Sequence, residues 1–165
     1  RVRNLKENRE GRASEFPQIR FALYRQAKNQ PVDPAIAHLC PVCQTPLQES
    51  FYEGVQIKIC PICSGRQVRM EDIEKILARQ EYDFSPDLQE KASLYQQAML
   101  NPEKRTSVFP GKKSLLCPEC GLQLAIKPFN YYYVFPVYKC YKCQLIWFEP
   151  DELEVLQILF QSRED

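Results

Sequence analysis

Cys40-Pro41-Val42-Cys43 and Cys60-Pro61-Ile62-Cys63, then Cys117-Pro118-Glu119-Cys120 and Cys140-Tyr141-Lys142-Cys143, account for all eight cysteines of this 165-residue chain. A Cys-x-x-Cys turn presents two thiolates on one side of a tight loop. Two such turns joined by a hairpin-sized segment close a tetrahedron around one soft cation. Here 16 residues separate Cys43 from Cys60 and 19 separate Cys120 from Cys140. Each half of the chain therefore reads as one four-cysteine ribbon, with two metal sites in all.

Disulfides are the competing reading of eight cysteines. They need an oxidising compartment, and the chain shows neither a secretory segment nor a membrane-spanning run. Paired Cys-x-x-Cys turns fit metal better. Four thiolates suit iron as well as zinc, but a redox role would leave the rest of the chain unexplained, so two structural Zn2+ ions are expected. Each ribbon is too small for a hydrophobic core alone to hold it firmly. Zinc contributes about 10–16 kcal/mol of apparent folding free energy in small modules near neutral pH.

The two halves repeat one another. Cys40-Pro41-Val42-Cys43 followed by Leu47 parallels Cys117-Pro118-Glu119-Cys120 followed by Leu124. After the second turn, Cys63 leads through Val68 to Glu71-Asp72-Ile73-Glu74-Lys75-Ile76-Leu77, and Cys143 leads through Phe148 to Asp151-Glu152-Leu153-Glu154-Val155-Leu156. Each half reads as knuckle, short strands, knuckle, helix. Acidic residues open both helices and complement the positive helix end, Pro150 suits a first helical position, and Ile73, Ile76 and Leu77 form one apolar stripe.

On these residues the chain resembles the bacterial transcription factor IIB-type zinc-finger family, in two tandem copies over about residues 38–79 and 115–161. That pattern runs Cys-Pro-x-Cys-x-x-x-Leu, a strand, then Cys-x-x-Cys-x-Gly-x-Trp-Leu-Asp-x-x-Glu-Leu. The second copy carries the tryptophan as Trp147, with Phe148, Glu149, Glu152 and Leu153 in register, but has Leu145 in place of glycine. The first keeps Gly65 and has Gln67 in place of tryptophan, which implies that one copy has lost a surface or packing role. The resemblance implies structural zinc and a general-transcription-factor-like fold, and leaves the task of the protein open.

The expected fold class is a small metal-bound α+β protein. Residues 1–37 form an N-terminal arm and helix, with Ser14 as cap and a helical run from Ile19 to Lys28. Residues 38–80 form ribbon one. A helical linker, 81–114, opens at Ser85-Pro86, carries Leu88, Ala92, Tyr95 and Met99 on one face, closes at Asn101-Pro102 and continues as a polar loop. Residues 115–165 form ribbon two with its C-terminal helix. The linker's apolar face predicts one compact or semi-compact body.

Function is the harder question. The single histidine, His38, lies beside sites that already have four thiolates each, and the chain has no phosphate loop, nucleophile elbow or metalloprotease motif. A non-catalytic module is expected, presenting a surface to another protein or to the rest of a longer parent chain, which Arg1 in place of Met suggests. The second hairpin, with Tyr131, Tyr133, Lys139, Tyr141 and Lys142, offers interleaved rings and lysines that could engage nucleic acid. Against this, 22 basic and 21 acidic residues leave a net charge of only +1, whereas phosphate binding is mostly electrostatic. The alternation Tyr131-Tyr132-Tyr133-Val134-Phe135 also suits an ordinary half-buried strand. The very apolar helix around Leu153–Phe160 reads as internal packing, with a homodimer face around Leu159 as the alternative, and Trp147 belongs with the interaction residues. The expected location is the cytoplasm, or the cytoplasmic side of a membrane-associated parent.

Overall fold

The structure, a computed structural model, describes residues 38–79, 83–109 and 111–164. The N-terminal arm and the helix expected near Ile19–Lys28 lie outside the described residues. In chain order the elements are β1 (Gln48–Tyr52), β2 (Val55–Ile59), β3 (Arg66–Arg69), a 3-10 turn (Met70–Asp72), α1 (Ile73–Leu77), α2 (Pro86–Leu100), α3 (Pro102–Val108), β4 (Ala125–Pro128), β5 (Pro136–Cys140), β6 (Leu145–Phe148) and α4 (Glu152–Glu164).

The two ribbons share one sheet. Its six strands run β1-β2-β3-β6-β5-β4, and every neighbouring pair is antiparallel. At the centre β3 pairs with β6: Arg66 faces Phe148, Gln67 faces Trp147, Val68 faces Ile146 and Arg69 faces Leu145. From the second knuckle onward, positions 80 apart correspond in the two repeats, as Cys60 does with Cys140. Gln67 therefore stands opposite its own counterpart, while Arg66 and Val68 stand opposite each other's. A local two-fold axis passes through the Gln67–Trp147 pair.

Alternation along strands sends successive side chains to opposite faces, and each face here has its own core. One holds Ile57, Val68, Ile146, Phe148 and Val137, roofed by Ile73, Ile76 and Leu77 of α1, Ala92 of α2, and Leu153, Val155, Leu156 and Leu159 of α4. The other holds Trp147, Tyr138 and Leu145 with Leu115, Leu122, Leu124 and the cysteines. The stripe expected on α1 is therefore buried as a unit. The apolar helix of the second repeat is packed inside: Leu159 is buried, which removes it as a homodimer surface, because α4 lies across both repeats and against α2.

Gln157 shows how α4 grips repeat one. Its Nε2 donates to Glu53 Oε2 at 2.5 Å, and the Tyr52 hydroxyl donates to its Oε1. Both partners lie at the β1–β2 turn, and Arg66 closes on Glu154 of α4 through two hydrogen bonds, the longer 2.8 Å.

Three local expectations change. Asn101-Pro102 ends α2 but also starts α3, since the Asn101 side chain accepts from Glu103 N at 3.0 Å and Pro102 takes a first-turn position that needs no donor. Pro150 stays outside α4, because Asp151 has φ +73°, and the helix starts at Glu152. The segment 129–135 is a loop rather than a strand: Asn130 Oδ1 accepts from the amides of Tyr132 and Tyr133, at 2.9 and 2.7 Å, and folds the chain back between Pro128 and Pro136.

Candidate metal centres

Each four-cysteine group converges. Sγ atoms of Cys40, Cys43, Cys60 and Cys63 all lie within 4.8 Å of one another, and so do those of Cys117, Cys120, Cys140 and Cys143. Cys40 and Cys63 are 3.7 Å apart at sulfur, and Cys120 and Cys140 are 3.6 Å apart. All eight cysteines are free thiols, and neither of these pairs approaches the sulfur separation of about 2.05 Å in a disulfide. The distances match the edge of about 3.8 Å that a tetrahedron with Zn–S bonds of about 2.3 Å requires.

The knuckles explain this convergence. In the first, the amides of Val42 and Cys43 both donate to Cys40 Sγ at 3.3 Å; in the second, Ile62 and Cys63 donate to Cys60 Sγ at 3.4 and 3.5 Å. Glu119 N reaches Cys117 Sγ and Cys143 N reaches Cys140 Sγ, both at 3.4 Å. After three of the turns the chain reverses through a left-handed residue, Gln44, Ser64 or Gln144, and after the fourth through Gly121. Amides aimed at sulfur favour the thiolate.

Electrostatics then separates the four sulfurs of a set. Burial raises Cys60, but the amides of Cys63 and Ile62 together with hydrogen bonds from the Cys40 and Cys63 thiols outweigh it and bring the thiol down to about 7. In site two, hydrogen bonding from Cys117, with the Cys143 amide helping against burial, brings Cys140 down to about 5. Burial pushes Cys40 and Cys143 up to about 12, and Cys117 is raised by its bond to Cys140 and by burial. One thiolate per set is favoured, while Cys40 and Cys43 in the first set and Cys117 and Cys143 in the second are held toward the thiol. Full ionisation of all four needs a cation between them, and bound zinc deprotonates its thiols outright. Geometry and donor chemistry both fit two structural zinc ions.

Site two has support that the cysteine spacing does not disclose. Gln67 Nε2 donates to Glu119 Oε2 at 2.6 Å and Arg69 Nη2 reaches the same oxygen at 3.3 Å. His38 N donates to Pro118 O at 2.6 Å, Met70 N to Gln144 O at 2.9 Å, and Arg69 Nη1 reaches Cys143 O at 3.4 Å. All five contacts run from repeat one to the knuckles of repeat two. The one sequence signal was the acidic Glu119 where the first repeat has Val42.

The expected contact residues divide. Tyr131, Tyr141 and Lys142 are exposed. Lys139 is half-buried, with Nζ donating to Phe129 O at 2.7 Å. Tyr133 and Trp147 are buried, Tyr133 against Phe129 and Trp147 between the repeats, so neither presents a surface. His38 is exposed and meets Lys58 Nζ at 3.1 Å through Nδ1 rather than joining a metal set.

Two closed four-thiolate sites on a shared antiparallel sheet define a tandem zinc-ribbon protein. Residues 39–79 match the family model of the TFIIB-type zinc ribbon, described as transcription factor zinc-finger. The match covers the first ribbon; residues 117–148 repeat its two Cys-x-x-Cys pairs, with 19 rather than 16 residues between them, and its order of three strands. No curated protein and no solved structure matches the chain. Among the described residues no helix is long and apolar enough to cross a membrane.

Proposed function

We propose that this chain is a non-catalytic, zinc-clamped module that docks another protein along the β1 edge of its sheet. The observation that carries this reading is the contrast between the two outer strands. β4 is guarded as exposed edges usually are, by Lys127 and by Pro128, which has no amide to donate. β1, its counterpart in the other repeat, has neither residue type, and Phe51 on it is 69% exposed. Beside β1 lies a cavity of about 380 Å³, lined by Tyr52, Ile57, Ile59, Phe84 and Leu88 among others. An extended peptide added to such an edge takes affinity from main-chain hydrogen bonds and selectivity from side chains seated in the adjacent cavity. Glu49 and Asp83 are exposed on and beside this edge, so a peptide with alternate apolar residues and a lysine or arginine fits it.

Displayed-peptide selection against the zinc-loaded chain tests this. Selected peptides should be extended and apolar at alternate positions, and Phe51→Lys, which copies the guarded edge, should weaken them about tenfold or more without loss of zinc. Peptides that bind Phe51→Lys equally well would refute the β1 edge. Single-stranded oligonucleotides form the competing arm. Salt-sensitive binding that is lost with Tyr141→Ala and Lys142→Ala, with no peptide selected, would replace the docking reading by a nucleic-acid one.

A further inference from the structure

The knuckles of the two sites are not held alike. Those of site one present Val42 and Ile62 to solvent, both more than half exposed. Those of site two are gripped by the other repeat. Pro118 and Glu119, between ligands Cys117 and Cys120, take hydrogen bonds from His38, Gln67 and Arg69; Cys143 and the adjoining Gln144 take them from Arg69 and Met70. The donors lie on the strand and turn that follow Cys63 and just ahead of Cys40, so their positions depend on site one being formed. Gln67 is 4% exposed, and its carboxamide reaches Glu119 from within the junction.

From this clasp we propose that the two zinc sites load as one cooperative unit, with Glu119 and Arg69 as the positioning residues that transmit the state of one site to the other. Ordering ribbon one sets β3, which brings Gln67 and Arg69 to the Glu119 carboxylate and so pre-shapes the Cys117–Cys120 turn for metal. A site shaped in advance binds more tightly, because the cost of ordering it has already been met. The coupling is reciprocal by thermodynamic necessity: zinc in site two must favour site one by the same factor. Nothing in this coupling depends on whether β1 docks a partner.

The single tryptophan makes the junction visible. Trp147 lies against Gly65 at the two-fold axis, so its emission reports whether the repeats are joined. Zinc titrated into the metal-free full chain, against a competing chromophoric chelator, should give one steep transition by both tryptophan emission and zinc uptake. Cys40→Ser with Cys43→Ser should lower the zinc affinity of site two about tenfold or more, and Cys117→Ser with Cys120→Ser should lower that of site one by the same factor. Glu119→Ala, which leaves every ligand in place, should still bind two ions but split the steep transition into two. Independent transitions in the native chain, site-two affinity within about twofold after removal of site one, or unchanged steepness in Glu119→Ala would each overturn the proposal.

Discussion

The indole of Trp147 occupies the space that a side chain on Gly65 would need: a Cβ built on Gly65 would lie 2.3 Å from Trp147 Cζ2 and 3.0 Å from Cε2. One residue belongs to each repeat, and the axis relating the repeats runs beside them. The glycine and tryptophan that the ribbon pattern places in one copy are thus shared between two, Gly65 kept in the first and Trp147 in the second. A tryptophan at position 67 would stand directly opposite Trp147 and lean toward Leu145, the fully buried counterpart of Gly65. By the same two-fold relation a second indole at position 67 would be driven into the Leu145 side chain, which fills the place corresponding to the one that Gly65 leaves open for Trp147. Gln67 is the smaller partner that lets the pair close.

Gly65→Ala should therefore destabilise the chain by about 1–3 kcal/mol, the usual cost of forcing a methyl group into a packed core. Because the clash is with one ring, Trp147→Phe should reduce the cost of the added methyl. Urea unfolding of the two single variants and the double variant measures this as a coupling energy. Additive effects would mean that the indole is not the obstacle.

The cysteine spacing disclosed both metal sites, and the knuckle–strand–helix order disclosed both ribbons, because a ligand set and its turns are local in sequence. The pairing of β3 with β6 was not legible. Gln67 and Trp147 are 80 positions apart, and strand alternation names a buried face without naming the neighbour that covers it. For the same reason Trp147 and Leu159 read as surface candidates: a residue too apolar for one ribbon is explained by the second ribbon packed upon it. The aromatic alternation of residues 131–135 suits a strand, but the side chain of Asn130 turns the backbone there, a local hydrogen bond that alternation does not reveal.

Lys112 supports the second prediction. Its side chain is 8% exposed and its ammonium meets Glu149 and Glu152, the latter at 2.9 Å. Burial raises the Glu152 carboxyl above its usual range despite Lys112, while the same two carboxylates outweigh burial and raise Lys112. Lys112→Ala should cost about 3 kcal/mol at neutral pH, at the low end for a broken buried pair because Glu149 is 39% exposed and solvent screens its share. A carboxyl raised in the folded state contributes stability that is lost as pH rises through its folded value, and removing the lysine raises it further. The penalty should therefore shrink on acidification below neutral pH, read as the difference between variant and native chain so that zinc loss cancels.

Gln157 carries the third. At 1% exposure it links α4 to the β1–β2 turn through Tyr52 and Glu53, and its counterpart in the first repeat is Leu77. Gln157→Leu keeps the volume and the helix but withdraws the donor from Glu53, whose side chain is fully buried. A loss of about 1–3 kcal/mol is expected, with unfolding still a single transition. A neutral result would show that the buried polar link between α4 and repeat one contributes no stability.

Metal removal gives the last prediction. The core on the knuckle face consists largely of the cysteines themselves, with Leu115, Leu122, Leu124, Tyr138, Leu145 and Trp147. Without the cation, burial and sulfur crowding hold Cys40 in the first set and Cys143 in the second up to about 12, so neither set ionises fully. A strong chelator should then expose Trp147, shift its emission to longer wavelength and remove the protection of β3 and β6 amides against hydrogen exchange. The helix-side core lacks cysteines, so α4 should lose protection later than β6 does. Restoring two zinc ions per chain should restore the native emission, and a chain that keeps buried tryptophan emission with both ions removed would show that its cores fold without the metal.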